Sequence, residues 1–305
     1  MTSPVGRLRL GTRGSILART QSGLVADALA VLGVAVELVE IVPTGDRRPA
    51  DTTWGEGWFV TALREALVER RIDLAVHSAK DVPIEALDGL RIAAMPERAD
   101  PRDALVLGGA ADPVPGADPL AALAPGAVVG TDSPRRTGFL RAARPDLRVI
   151  PLHGNVDTRL ARLDRGEADA LVLAVAGLAR LGRADRIAAV LPPDLVPPAP
   201  GQGALAVEVR SDDEATAALV ARLDHAPTHL AVRTERLVLE TTGGGCRAPV
   251  GALAMSRHGT VEFRAGAVDP DGRNVRWVHR TGADAEWAEL AADAGRALGR
   301  TVVPA

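Results

Sequence analysis

The segment HSAKDVP, His77–Pro83, holds Lys80, the only lysine in a chain whose other basic side chains are all arginine. An ammonium is a compact point charge on a flexible stem, whereas a guanidinium is a planar fork. A composition so strongly tilted to arginine that keeps one ammonium beside a carboxylate marks a place where a small cation must reach acidic groups without crowding a reacting centre. Asp81, next in the chain, is suited to accept hydrogen bonds and to stabilise a developing positive charge. The residues alone leave open a plainer role for Asp81, as a cap before Pro83.

Three further segments bring cations to turns. They are GTRGS (Gly11–Ser15), GTDSPRR (Gly130–Arg136) and HGNVDTR (His153–Arg159). Each follows a strand-like apolar run, and in open α/β sheets the turns at the carboxyl ends of strands are where ligands bind. In GTDSPRR, Ser133 is suited to the N-cap and Pro134 to the first helical position. Arg135 and Arg136 then fall in the first turn, where the helix dipole favours anions. Two cations there cost stability unless something negative docks on them, and the free N–H groups of the turn would reinforce such an anion site. Solvated arginines in an arginine-rich chain are the other reading of any single turn. With Arg13 and Arg159 in the other two, the set is expected to bind a small molecule carrying several carboxylates or phosphates. The one cysteine, Cys246, follows three glycines in GGGCRAPVG. The glycines leave its thiol approachable and Arg247 favours the thiolate. A small buried core residue is the alternative. No second cysteine or nearby histidine offers metal-ligand spacing, so no metal is expected.

The elements that must position these groups are legible as alternation. Strand-like runs fall at Leu8–Gly11, Val36–Val42, Leu74–His77, Leu90–Ala94, Ala104–Gly108, Ala127–Thr131, Leu147–Leu152, Ala170–Val175 and Ala204–Val209. Helical patterns cover Ala18–Leu32, Phe59–Arg70, Ser133–Ala143 and Val156–Gly166. This order predicts an α/β fold with mostly parallel sheets. The Pro/Asp turn near Asp100 and the proline-rich LPPDLVPPAPGQG (Leu191–Gly203) punctuate it, and the second is neither helix nor central strand. They read as two crossings of a hinge. One lobe is expected from residues 1–99 with 200–220, a second from 100–199, and a small α+β domain carrying the cysteine from 221–305.

The 305 residues carry a formal net charge of −3, which argues against a nucleic-acid footprint. A lone cysteine excludes an internal disulfide and fits a reducing cytoplasm. Neither a signal-peptide core nor an apolar run of about 18 residues is present, so no membrane association is expected.

Taken together, the segments LRLGTRGSILARTQ, AVHSAKDVP, ADPRDAL, GTDSPRR, RPDLRVIPLHGNVDTRL, LDRGEADALVLAVAGLARLG, VPPAPGQGALAVE and GGGCRAPVG resemble porphobilinogen deaminase, also called hydroxymethylbilane synthase. They cover nearly the whole chain, in order. The resemblance implies two lobes shaped like a periplasmic binding protein plus a C-terminal domain, in a cytoplasmic monomer. It implies a dipyrromethane cofactor held covalently by Cys246, onto which four porphobilinogens are joined head to tail with loss of ammonia before the linear tetrapyrrole is released by water. Asp81 and Lys80 match the catalytic positions. Ser78, Lys80, Ser133, Arg135, Arg136 and Arg159 match positions that hold the cofactor's carboxylates. Arg13, Ser15, Gln21, His153, Arg159 and Arg180 match positions around substrate and growing chain. Two departures stand out: His153 replaces the family's usual arginine, and Glu56 lies in a shortened loop, residues 47–58, that the resemblance places as a lid. They keep open a diverged relative with slow or altered pyrrole polymerisation, and a two-lobed protein that only binds acidic small molecules remains the third reading.

Overall fold

The computed structural model describes residues 7–42, 58–84, 87–108, 118–245 and 248–299. They fall into two compact units, Met1–Arg98 with Ala204–His229, and Ala99–Gly203 with Leu230–Ala305. The chain passes between units next to the two expected crossings. The expected C-terminal domain belongs, from Leu230 on, to the same compact unit as the second lobe.

The first unit opens with β1 (Leu8–Thr12), α1 (Ile16–Val31), β2 (Val36–Glu40), α2 (Trp58–Val68), β3 (Leu74–Ser78) and β4 (Leu90–Ala94). The run LRLGT is almost wholly buried, as a strand covered on both faces must be. In α1 the buried residues are Ala18, Gln21, Ser22, Val25 and Leu29, the i, i+3, i+4 spacing of one helix face. The second unit then builds β5 (Asp103–Leu107), β6 (Val128–Gly130), α3 (Pro134–Ala143), β7 (Arg148–Ile150), α4 (Val156–Asp164), β8 (Ala170–Ala174), α5 (Val175–Arg180) and β9 (Ala189–Leu191). There follow β10 (Leu205–Arg210), α6 (Glu214–Val220), α7 (Ala226–Thr241), β11 (Val250–Arg257), β12 (Thr260–Ala267), β13 (Arg276–Ala283) and α8 (Trp287–Leu298). Pro192–Gly203 contains no helix or strand, as its prolines require.

The strand orders are β2-β1-β3-β10-β4 and β7-β6-β8-β5-β9 in two five-stranded sheets, with β11-β12-β13 as a separate antiparallel sheet. Four of the five strands in each five-stranded sheet share one direction, in line with the expectation of mostly parallel sheets. In each five-stranded sheet two pairings are parallel and two antiparallel. One strand in each runs against its neighbours, β10 in the first and β5 in the second. Each enters its sheet straight from a linker, without the βαβ crossover that would set it parallel. The other strands keep one direction, so the turns after β1, β6 and β7 open at the carboxyl ends that matter for binding.

Apolar side chains from both faces close the cores. Leu10, Leu74, Val76, Val207 and Val209 pack with Val25 and Leu29 of α1 in the first unit. Leu105, Val129, Val172, Phe139 and Leu140 form a core of the second. The C-terminal sheet packs on α3 there: the Phe139 and Trp277 rings lie 5.4 Å apart. A Cβ on Gly138 would fall 2.6 Å from Val268 Cγ1.

Gly203 closes the proline-rich segment at φ +87. An added Cβ would meet Ala99 O at 2.5 Å, against backbone that cannot rotate away. Gly203→Ala is therefore expected to destabilise the protein by roughly 1–3 kcal/mol, read as a lower unfolding midpoint in a denaturant titration. An unchanged midpoint would contradict this account of the turn. No helix among the described residues is long and apolar enough to cross a membrane.

Candidate functional site

In the first unit the expected site residues gather at the ends of β1 and β3. β3 ends at Ser78 and runs into a 3-10 turn, Ala79–Asp81, that carries Lys80 and Asp81. The turn is pinned from below, because Ala79 N donates to Ala204 O at 3.0 Å as β10 begins. Asp81 is exposed and Lys80 half-buried. Across from them, Gln21 points inward from the buried face of α1 and its Nε2 donates to Ser78 Oγ at 3.0 Å. Ser15 caps α1, accepting from Ala18 N at 3.3 Å. Burial pulls the Arg13 guanidinium below its ordinary pKa, while the charge of Asp81 pulls it up and only partly compensates. Arg13, Gln21, Ser78 and the Lys80–Asp81 turn thus form one neighbourhood, in which Ser15 acts as the helix cap.

Beneath that neighbourhood lies a charge cluster that sequence reasoning missed. His77 Nε2 is 3.1 Å from Glu208 Oε2, and Arg64 Nη2 is 2.8 Å from Glu208 Oε1, all three side chains being buried. Burial raises the pKa of Glu208, and hydrogen bonds from His77 and Arg64 more than reverse it, so its carboxyl lies below the ordinary value. The signal was there: a histidine and a glutamate inside the apolar strands AVHS and ALAVEV must be paired when buried.

In the second unit, Ser133 caps α3 and Pro134 opens it, as expected. Arg135 and Arg136 are 3% and 6% exposed. The anion that their place in the first turn demands comes from inside the protein. Arg135 Nη1 and Arg136 Nη2 each lie 2.7 Å from Asp103, on different carboxylate oxygens, and Asp103 is fully buried. Arg136 Nη1 also donates to Val172 O at 2.9 Å, and Arg135 donates to Pro197 O. Burial raises the Asp103 pKa, but the two guanidiniums outweigh it and hold the carboxyl well below the usual range. Asp103 sits in the ADPRDAL segment at the head of an apolar run, where a carboxylate reads as turn punctuation.

Asn155 caps α4, its Oδ1 accepting from Thr158 N at 2.9 Å. Asp132 lies between two of the expected residues: its Oδ1 is 2.9 Å from His153 Nδ1 and its Oδ2 is 3.1 Å from Arg159 Nη2. Among the described residues, the buried Arg159 Nε finds no hydrogen-bond acceptor. Arg180 donates from Nη2 to Gly203 O at 2.7 Å. Burial alone lowers its pKa, since no carboxylate among the described residues supports its charge. Burial likewise lowers the pKa of Arg159, with Asp132 opposing. Among the described residues, this unit therefore presents more partly buried positive charge than its carboxylates satisfy. Cys246, Arg247 and Glu56, with most of the expected 47–58 loop, lie outside the described residues.

Comparison with known proteins places these two neighbourhoods in a family. Residues 8–218 match the domain described as "Porphobilinogen deaminase, dipyromethane cofactor binding domain", and residues 229–300 match "Porphobilinogen deaminase, C-terminal domain". Porphobilinogen deaminase of Acidothermus cellulolyticus is 46% identical over 305 residues, covering 98% of this chain and 89% of that protein. That of Thermobifida fusca is 47% identical over 297 residues, covering 96% and 90%. That of Mycobacterium marinum is 50% identical over 248 residues, covering 81% and 77%. Among solved structures, the methionine binding protein MetQ aligns with a TM-score of 0.44 at 13% identity, covering 71% of this chain and 89% of that one. Two matching domains and relatives of this identity along almost the full length lead to one conclusion: the chain belongs to the porphobilinogen deaminase family.

Proposed function

We propose that the residues gathered in each unit carry out the family's reaction as a carboxylate-holding set and a cation-stabilising set. The reaction joins four porphobilinogens head to tail with loss of ammonia on a dipyrromethane primer, then frees the linear tetrapyrrole with water. Each pyrrole ring of substrate and primer bears an acetate and a propionate, so a growing chain is a polyanion. The observation that carries the reading is the surplus of cationic donors among the described residues of the second unit, above all the buried Arg159 Nε without an acceptor there.

The donors present fit a dipyrromethane. By the family resemblance, Ser78, Lys80, Ser133, Arg135, Arg136 and Arg159 are the residues that would hold its carboxylates. Covalent attachment through cysteine is a family feature, and Cys246 is the single cysteine available for it. When bound, the group supplies the nucleophilic pyrrole carbon on which the chain grows. Arg135 and Arg136 act there mainly through charge, because Asp103 and backbone carbonyls already occupy much of their hydrogen-bonding edge. Arg13, Ser15, Gln21, His153, Arg159 and Arg180 receive substrate and growing chain. A charge-assisted hydrogen bond of this kind contributes about 1.5–3 kcal/mol.

Asp81 accepts from pyrrole N–H groups. As ammonia leaves porphobilinogen, a cation spreads over the ring and its methylene carbon, and a fixed carboxylate beside it lowers the energy of that charge. Lys80 keeps an ammonium against the acidic side chains at the same turn. Three domains, with divisions at 1–99 with 200–220, 100–199 and 221–305, and a cytoplasmic monomer free of nucleic acid and membrane complete the proposal. Its net charge of −3 supports that last part.

Incubation with porphobilinogen tests the reading. One ammonia should appear for each porphobilinogen consumed, with one linear tetrapyrrole per four. Binding without ammonia release would instead mark a protein that only captures acidic ligands.

A further inference from the structure

Three consecutive residues, Gly201, Gln202 and Gly203, reach two arginines of the second unit's cationic set, Arg136 and Arg180. Gly201 N donates at 2.7 Å to Glu235 Oε2 of α7, whose Oε1 accepts from Ala254 N of β11 at 2.8 Å. Gly203 O accepts from Arg180. Between them, the fully buried Gln202 side chain donates from Nε2 to Pro101 O at 2.7 Å and to Asp103 Oδ1 at 2.9 Å. Its Oε1 lies 3.4 Å from Arg136 Nη2. The amide thus bridges the one carboxylate and one of the two guanidiniums that share it.

Charge makes the choice of an amide informative. Arg135 and Arg136 share Asp103, so the buried cluster holds one positive charge in excess. A glutamate would have nearly the same shape as Gln202; Arg136, 3.4 Å away, would favour its ionised form and Asp103, 2.9 Å away, would oppose it. Ionised, it would cancel that excess. We propose that Gln202 is a positioning residue that locks Asp103 and Arg136 in place while adding no charge, so that the cluster keeps a net positive charge toward the carboxylates of the dipyrromethane and the growing chain. The inference rests on the carboxylate-binding reading above and adds to it a residue that this reading does not use.

The test compares wild type with Gln202→Glu, Gln202→Met and the swap Asp103→Asn/Gln202→Glu, which exchanges amide and carboxylate between the two positions. Each protein is purified from cells that make porphobilinogen. Intact mass reads the fraction carrying the covalent cofactor, thermal unfolding reads the fold, and steady-state assay reads KM and kcat separately. Gln202→Glu is expected to unfold cooperatively while its loaded fraction falls, or its KM for porphobilinogen rises, by at least about tenfold. Gln202→Met, which loses the hydrogen bonds but keeps the net charge, should stay loaded with a lower unfolding midpoint. The swap should recover loading relative to Gln202→Glu. Wild-type loading and KM in Gln202→Glu, equal loss of loading in Gln202→Met, or a swap that recovers nothing would each overturn the inference. If Gln202→Glu does not fold, the swap decides: folded and loaded supports the inference, and anything else overturns it. A wild type without the added mass overturns the functional reading itself, whereas loaded wild type with loaded Gln202→Glu overturns only the role of Gln202.

Discussion

Asp81→Asn is expected to lower kcat by about 10²–10³ while leaving the fold and the cofactor in place. The carboxylate sits exposed on the Ala79–Asp81 turn. Exposed substitutions of this kind usually change stability by no more than about 0.5 kcal/mol, so the unfolding midpoint should stay where it is. What is lost is the negative charge beside the cation that forms as ammonia leaves, and asparagine keeps the shape without the charge. Loading should survive because each molecule needs the chemistry only a few times to acquire its primer, and a slow enzyme has the whole of expression to do so. Single-turnover ammonia release on loaded Asp81→Asn checks the point. A rate within a few-fold of wild type would remove Asp81 from the reacting centre.

Asp103→Asn carries the largest expected cost to stability. It leaves two buried guanidiniums without their shared anion, and breaking a buried pair by removing one partner costs about 3–5 kcal/mol. For a chain of this size that corresponds to a fall in unfolding midpoint on the order of 10 °C. The pH dependence has a definite sign. The folded-state pKa of Asp103 lies below its unfolded value, so its stabilisation is fully present above the ordinary aspartate range and drains away as pH falls through and below it. Wild type and variant should therefore differ most near neutral pH and converge below about pH 4. A constant difference across that range would mean that the Asp103 charge is not what holds Arg135 and Arg136.

How much of this was legible in the sequence follows from what each residue reveals by itself. β1 and β3 were readable as short continuous apolar runs, and α1 because its buried residues keep one helical period. α5 was not, because ALVLAVAGLAR changes from strand to helix at Val175 without a turn residue to mark the change. β11 was missed because VGALAMSR is rich in small residues of weak strand preference, and it is specified by pairing along its whole length with β12. α6 could have been found from Asp213, whose side chain caps it by accepting from Thr216 N at 3.1 Å. At the site, the wrong-sign arginines of α3 correctly announced a missing anion. Its source could not be read, because only the sheet brings Asp103 of β5 under the start of α3. His77 and Glu208 illustrate the same limit, since they are far apart in the chain and meet through the antiparallel register of β3 and β10. The mixed sheet direction was hidden for a related reason: strand–helix alternation says nothing about a strand that enters from a linker.

The central claim is that an acidic pyrrole primer is anchored to this chain's one sulfur and served by the residues described above. Intact mass of the protein purified from cells that make porphobilinogen tests it most directly. One covalent dipyrromethane per chain is expected, absent from Cys246→Ala. Wild-type protein at its bare sequence mass, or Cys246→Ala carrying the same added mass, would contradict the account.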